Sequence, residues 1–76
     1  MLIRKEIMAF AQAMEKVMQK HDLIKGDSWK EMSHQALQTL LRQEMVESEC
    51  DNAKIGEWID IANICMMIYN NTLNLT

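Results

Sequence analysis

The stretch that decides the fold reads Glu44-Met-Val-Glu47 and then, after nine intervening residues, Glu57-Trp-Ile-Asp60. Residues three and four apart share one face of a helix. Each acidic pair adjoins an apolar helical stripe; the stripes are Leu37, Leu40 and Leu41 before the first pair, and Ile61, Ile64, Cys65 and Ile68 after the second. Both pairs are therefore predicted on buried helix faces, where a bare carboxylate is costly to desolvate and needs a partner or a metal.

The segment between the two pairs, Ser48–Ala53, is a predicted break that lets the chain reverse direction. A reversal there makes the two helices antiparallel and places Glu47 level with Glu57, and Glu44 level with Asp60. Packed helices lie about 8–10 Å apart, so carboxylates from both helices can reach one shared ion. A donor set of oxygens without Cys or His suits Mg²⁺ or Mn²⁺ better than Zn²⁺.

Three helices are predicted, and no strands, because no segment alternates with period two. The first, about Ile3 to His21, has one apolar stripe, formed by Ile3, Ile7, Phe10, Met14, Val17 and His21. Gly26 is the expected turn residue after it. The second helix runs from about His34 to Glu49 behind a cap at Ser33, and the third from about Asn52 to Asn71. The tail from Asn70 to Thr76 is expected to fray. The fold class is all-α.

Seventy-six residues with two glycines and no proline predict one domain, residues 1–76. A chain of this length buries only about 60% of its unfolded surface. A homodimer or homotetramer is therefore expected, with the stripe of the first helix in the interface. The eight methionines fill core gaps or contribute to that interface.

Charge and apolar runs exclude several classes of protein. A net charge of −3 without a basic stripe argues against a nucleic-acid surface. No run approaches the roughly 20 apolar residues of a membrane span, and the N-terminus lacks a signal-peptide pattern. The two cysteines form no disulfide framework, and Cys65 is expected to be a small core residue. These features predict a cytoplasmic protein.

The two acidic pairs resemble the magnesium-binding signature of the all-α nucleoside-triphosphate pyrophosphohydrolases, which are the MazG-like proteins related to dimeric dUTPases and dCTP pyrophosphatases. The lead-in Lys25–Trp29 and the run Trp58–Ile68 also look like segments of these proteins, and the resemblance covers roughly Met8 to Asn71. It implies a three-helix, MazG-like unit with an antiparallel helical hairpin that assembles as a helical-bundle oligomer. It also implies hydrolysis of a nucleoside triphosphate to a monophosphate and pyrophosphate.

The resemblance further implies a metal site and a catalytic residue. The ligands of Mg²⁺ or Mn²⁺ would be Glu44, Glu47, Glu57 and Asp60, with Glu47 as the candidate base that orients the attacking water. The gap between the acidic pairs is shorter than in most members, and the usual fourth core helix is missing. A second subunit is therefore expected to complete the substrate pocket.

Four further residues are candidate substrate contacts, each with a structural alternative. Trp29 stacks on the base or is a core residue at a helix entrance. Lys25 and Lys30 bind phosphate or are solvated. Asn63, one turn after Asp60, contacts metal or sugar or lies on the helix surface. The two histidines have no ligand spacing; His21 is expected to be structural and His34 is a weak substrate candidate.

Other classes of function fit less well. The main alternative is a non-catalytic helical protein that oligomerises or binds a partner through methionine-rich faces, with its acidic pairs solvated. A calcium sensor would need the Asp-x-Asp-x-Asp-Gly loop, which is absent. A di-iron helical protein would use Glu-x-x-His, and neither histidine follows a glutamate by three.

Overall fold

The computed structural model describes residues 2–49 and 55–74 of the chain. This part contains three α-helices, α1 (Lys5–Lys25), α2 (His34–Ser48) and α3 (Ile55–Leu73), and no strand. A short 3₁₀ helix, Ser28–Glu31, connects α1 to α2. The all-α prediction is confirmed. Asn52, the predicted start of the third helix, lies outside the described residues.

The first helix begins two residues later than predicted and ends about one turn later, because it continues past His21 to Lys25. It ends at Gly26, whose φ of +57° lies in the left-handed region that glycine adopts without steric cost. The backbone N–H of Gly26 donates to the carbonyl of Asp22, at 3.1 Å. The glycine itself therefore sets the end of α1, and the expected turn at this residue is confirmed.

The second helix begins where its cap residue predicts. The Oγ of Ser33 accepts a hydrogen bond from the backbone N–H of Ala36 at 3.1 Å, which satisfies one of the free donors of the first turn. The helix ends at Ser48, one residue before the predicted end.

Helices α2 and α3 pack against each other and run in opposite directions. Near the start of α2, His34 Nε2 lies 2.6 Å from the Oγ1 of Thr72, near the end of α3. Leu37 and Ile64 are the buried apolar side chains among the described residues. α1 packs on α3 from another side, where Asn63 Nδ2 donates to the carbonyl of Met14 at 3.3 Å.

The end of α3 was predicted to fray, and this was wrong for residues 70–73. The helix continues to Leu73 because Asn71 is buried and its Nδ2 donates to two carbonyls, those of Trp29 at 3.1 Å and Met32 at 3.2 Å. These two bonds tie the segment between α1 and α2 to the last turns of α3.

The expectation that Cys65 is a core residue was also wrong, since its side chain is exposed. Ile64 points into the core, and the next residue along a helix is turned by about 100°. A helix that is apolar on both sides gives no sequence signal for which side faces inward. None of the helices in the described part of the chain combines the length and the apolar character needed to cross a membrane.

Candidate functional site

A cavity of about 290 Å³ lies where the three helices and the 3₁₀ helix meet. Its wall includes five of the eight side chains predicted for the site: Lys25, Trp29, Glu44, Asp60 and Asn63. The C-terminal half of α2 and the N-terminal half of α3 supply the carboxylates. The end of α1 and the 3₁₀ helix supply the lysine and the tryptophan.

The two acidic pairs face one another across the antiparallel helices, as their stripes predict. The pKa of Glu44 is raised above its ordinary value of 4.5, first because the carboxyl is partly buried and then because Glu47 and Asp60 repel its charge. A hydrogen bond with Glu47 and the charge of Glu57 raise this pKa further. All three other carboxylates therefore lie within electrostatic reach of Glu44.

The carboxylates differ in how deeply they are buried. Glu44, Glu57 and Asp60 are half-buried, whereas Glu47 is exposed and does not line the cavity. The prediction that Glu47 lies on a buried face was therefore wrong. It lies in the last turn of α2, which ends at Ser48. It keeps its contact with the cluster through Glu44.

One carboxylate oxygen of Glu57, Oε2, is buried and makes no hydrogen bond within the described part of the chain. Leaving a buried polar atom unpaired costs about 1–3 kcal/mol, and more when the group is charged. Such an atom points to a missing ligand more strongly than the acidic composition alone does.

The cluster has the chemistry of a Mg²⁺ or Mn²⁺ site, but its side chains are not gathered around one point. Among residues 2–49 and 55–74, no three Asp, Glu, His or Cys side chains form a group that could hold a metal ion. The all-oxygen donor set and the unpaired Glu57 oxygen fit a hard cation, which Glu44, Glu57 and Asp60 would hold.

Two neighbouring residues of the predicted substrate site, Trp29 and Lys30, differ in their relation to the cavity. Trp29 is half-buried on the cavity wall, and its Nε1 is buried without a hydrogen-bond partner among the described residues. Lys30 does not line the cavity. Its Nζ lies 3.3 Å from Asp27 Oδ2 and 5.7 Å from the centre of the Trp29 ring. An exposed ion pair of this kind contributes at most about 1 kcal/mol, so Lys30 can exchange it readily.

The remaining predicted contact, Asn63, is a cavity residue rather than a surface residue. It is only 3% exposed, and while its Nδ2 is bonded to Met14, its Oδ1 is buried without a partner in the described ranges. Asn63 and Trp29 thus place one unpaired acceptor and one unpaired donor at the cavity.

The two histidines lie where the sequence did not predict them: His21 is at the cavity and His34 is not. His21, predicted to be structural, is exposed and lines the cavity one turn before Lys25. The four-residue spacing of His21 and Lys25 on α1 was the available sequence signal. His34 lies about 15 Å along α2 from Glu44, where it bonds Thr72, so it is not at this site.

No family model, curated protein or solved structure matches this chain.

Proposed function

We propose that this chain is a Mg²⁺- or Mn²⁺-dependent nucleoside triphosphate pyrophosphohydrolase, a MazG-like helical unit that acts as a homodimer or homotetramer. The observation that supports this most is the cavity itself. It combines the carboxylates Glu44 and Asp60 with the lysine and indole of Lys25 and Trp29. A hard cation, a polyphosphate and an aromatic base are the ligand groups that such a combination suits.

The size of the cavity bears on the assembly. Its 290 Å³ is at the low end of ligand-binding cavities, which span about 300–1,000 Å³. A single chain therefore encloses only part of a nucleoside triphosphate, and a second chain completes the pocket.

In this proposal each polar side chain has a distinct task. A bound divalent cation supplies positive charge for the triphosphate and for the charge that develops during reaction. Glu44, Glu57 and Asp60 hold it. Glu47, exposed beside Glu44, accepts a proton from the water that attacks the α-phosphorus, while the bond from this phosphorus to the bridging oxygen breaks and pyrophosphate leaves.

The substrate is held by the other side of the cavity. Lys25 binds phosphate, and Lys30 joins it by leaving Asp27. Trp29 lies against the base, and the free Oδ1 of Asn63 accepts a hydrogen bond from a hydroxyl or amino group of the nucleoside. These contacts orient the substrate without changing during the reaction, so they act mainly on affinity.

The test is a panel of ribo- and deoxyribonucleoside triphosphates with Mg²⁺, in which the products are separated and identified. Monophosphate plus pyrophosphate is the expected result. Diphosphate plus phosphate would contradict the proposal. Glu44→Gln, purified in the same way, is the control for contaminating phosphatases, because a contaminant is unaffected by the substitution.

A second candidate is a non-catalytic protein that oligomerises or binds a partner. The observation that favours it is the first half of α1, where Ile7, Phe10 and the preceding Ile3 are exposed together. This candidate predicts no cleavage of any nucleotide and no response to divalent cations. The same panel, with and without Mg²⁺, therefore separates the two functions.

A further inference from the structure

The third helix differs from an ordinary surface helix, because its charged side chains lie on the inner side and its outer side is uncharged. Its two charged residues, Glu57 and Asp60, lie on the side of the acidic cluster, turned toward α2. The opposite side, here called the outer face of α3, is formed by Trp58, Ala62, Cys65 and Tyr69. Trp58 is 53% exposed, Tyr69 is 68% exposed and Cys65 is exposed.

A helix at the surface of a soluble domain normally turns its charges outward and its apolar stripe inward. The outer face of α3 has steps of four, three and four residues, so its members line up along about 16 Å of helix. It contains two aromatic side chains and no charge. Aromatic residues with few charges are typical of the centre of a protein interface.

The total exposed surface indicates how much of the chain an assembly would cover. A compact monomer of 8.9 kDa exposes about 4,800 Å². This chain exposes 6307 Å², roughly 1,500 Å² more than that relation gives. A standard interface covers about 800 Å² on each partner, so the excess corresponds to two such patches.

We propose that the outer face of α3 is covered by the same face of a second copy of this chain. The face is neutral, so two copies meet without charge repulsion, as a two-fold contact between identical patches requires. The exposed stripe at Ile3, Ile7 and Phe10 then accounts for the other patch. A chain with two such faces forms a dimer of dimers.

The contact also bears on the candidate site, since Trp58 directly follows Glu57 and lies two residues before Asp60. Covering the outer face holds in place the helix that supplies half of the carboxylates. The inference rests on the assembly in the proposed function but not on its chemistry. Its tests contain neither nucleotide nor metal, so failed hydrolysis leaves them unaffected. An assembled chain whose contact lies on another face would overturn this inference and leave the hydrolysis unaffected.

The first test compares Tyr69→Glu with Gln38→Glu by sedimentation velocity over a micromolar range. Both variants add one negative charge at an exposed helical position. We expect Tyr69→Glu to weaken self-association by roughly thirtyfold or more, as at an interface hot spot, and Gln38→Glu to leave it unchanged. Circular dichroism confirms that both variants are helical. A wild-type chain that stays monomeric throughout would overturn the inference.

The second test does not require a folded variant at the interface. In a Cys50→Ser background, Cys65 is alkylated at increasing protein concentration. The rate should fall in step with the assembled fraction, because the thiol is exposed in one chain and covered in the pair. Labelling at a constant, rapid rate in a sample that light scattering shows to be assembled would overturn the inference, since the contact would then be elsewhere.

Discussion

The two ends of the α2–α3 pair are both polar, but their polar groups have different surroundings. At the end where α2 starts, Asn71 donates two hydrogen bonds to backbone carbonyls and His34 bonds Thr72. At the other end, carboxylates repel one another around Glu44, and the buried Oε2 of Glu57 has no partner among the described residues. Polar groups that maintain a fold are paired within it, whereas groups kept for a ligand are left unpaired.

At the paired end, the hydrogen bonds of His34 and Thr72 form a chain that ends on a backbone carbonyl. The hydroxyl of Thr72 has one hydrogen, which it donates to the carbonyl of Ile68 at 2.7 Å. His34 must therefore donate from Nε2 to the Thr72 oxygen. Each donor in this chain of bonds has an acceptor, and the chain ends on the backbone. Among residues 2–49 and 55–74, the buried Oε2 of Glu57 at the other end has no such acceptor or donor.

The largest expected effect is on catalysis at the acidic end. Asp60→Asn should lower the rate of pyrophosphate release by roughly 10²-fold or more, because a ligand of the cation is lost and charge in the transition state is less stabilised. The measurement is kcat with Mg²⁺ and the best substrate of the panel. Glu49→Gln removes an exposed carboxylate nearby and should stay within a factor of two. Equal rates for both variants would remove the acidic end from the chemistry.

The next effect is the response of stability to the cation. At 100 times its dissociation constant, Mg²⁺ should stabilise the folded chain by about 2.7 kcal/mol, which raises Tm by roughly 10–20 °C for a domain of this size. EDTA should reverse the change, and Glu44→Gln should abolish it. A melting curve that is the same in EDTA and in millimolar Mg²⁺ would contradict a metal site.

The paired end should respond to substitution even without ligands. Asn71→Ala removes both amide donors and leaves the carbonyls of Trp29 and Met32 unpaired, at a cost of about 1–3 kcal/mol. Thermal unfolding in EDTA measures this loss. Asn74→Ala, at an exposed position just beyond α3, is the matched control and should change stability by less than about 0.5 kcal/mol. Similar values for the two variants would mean that Asn71 does not hold the loop.

The smallest effect is a dependence on pH. Because the pKa of Glu44 is raised in the folded chain, its contribution to stability is complete below its ordinary value of 4.5 and is lost as pH rises through the raised pKa. In EDTA, Glu44→Gln should therefore gain a few degrees in Tm over the wild type as pH rises toward neutrality. A difference between the two proteins that is constant with pH would show that Glu44 is not under repulsion.

The facing of the acidic pairs could be predicted because helix geometry is regular. A spacing of three extends a known stripe, so the positions of Glu44 and Asp60 follow from the leucines and isoleucines beside them. The Ser33 cap and the Gly26 turn could be predicted for the same local reason, since each residue type satisfies a specific backbone need.

The features that sequence reasoning missed depend on contacts between distant segments. In the sequence, Asn71 is part of a polar tail. Its structural role depends on the carbonyl of Trp29, 42 residues away, which accepts a hydrogen bond from its side chain. Cys65 reads as core because it belongs to the stripe of Ile61, Ile64 and Ile68, and only the packing of α1 and α2 decides which side of α3 stays uncovered.

The rotation of α3 about its own axis is set by two amide side chains. Asn63 is held by the carbonyl of Met14, and Asn71, just over two turns later, by the segment that contains Trp29. Hydrophobic burial alone discriminates weakly between this orientation and one rolled toward Trp58, because α3 has apolar side chains on both faces. Directional bonds oppose that roll, because an amide displaced by half a turn meets no carbonyl. The inward position of Glu57 and Asp60 therefore depends on the angular orientation of α3 about its axis.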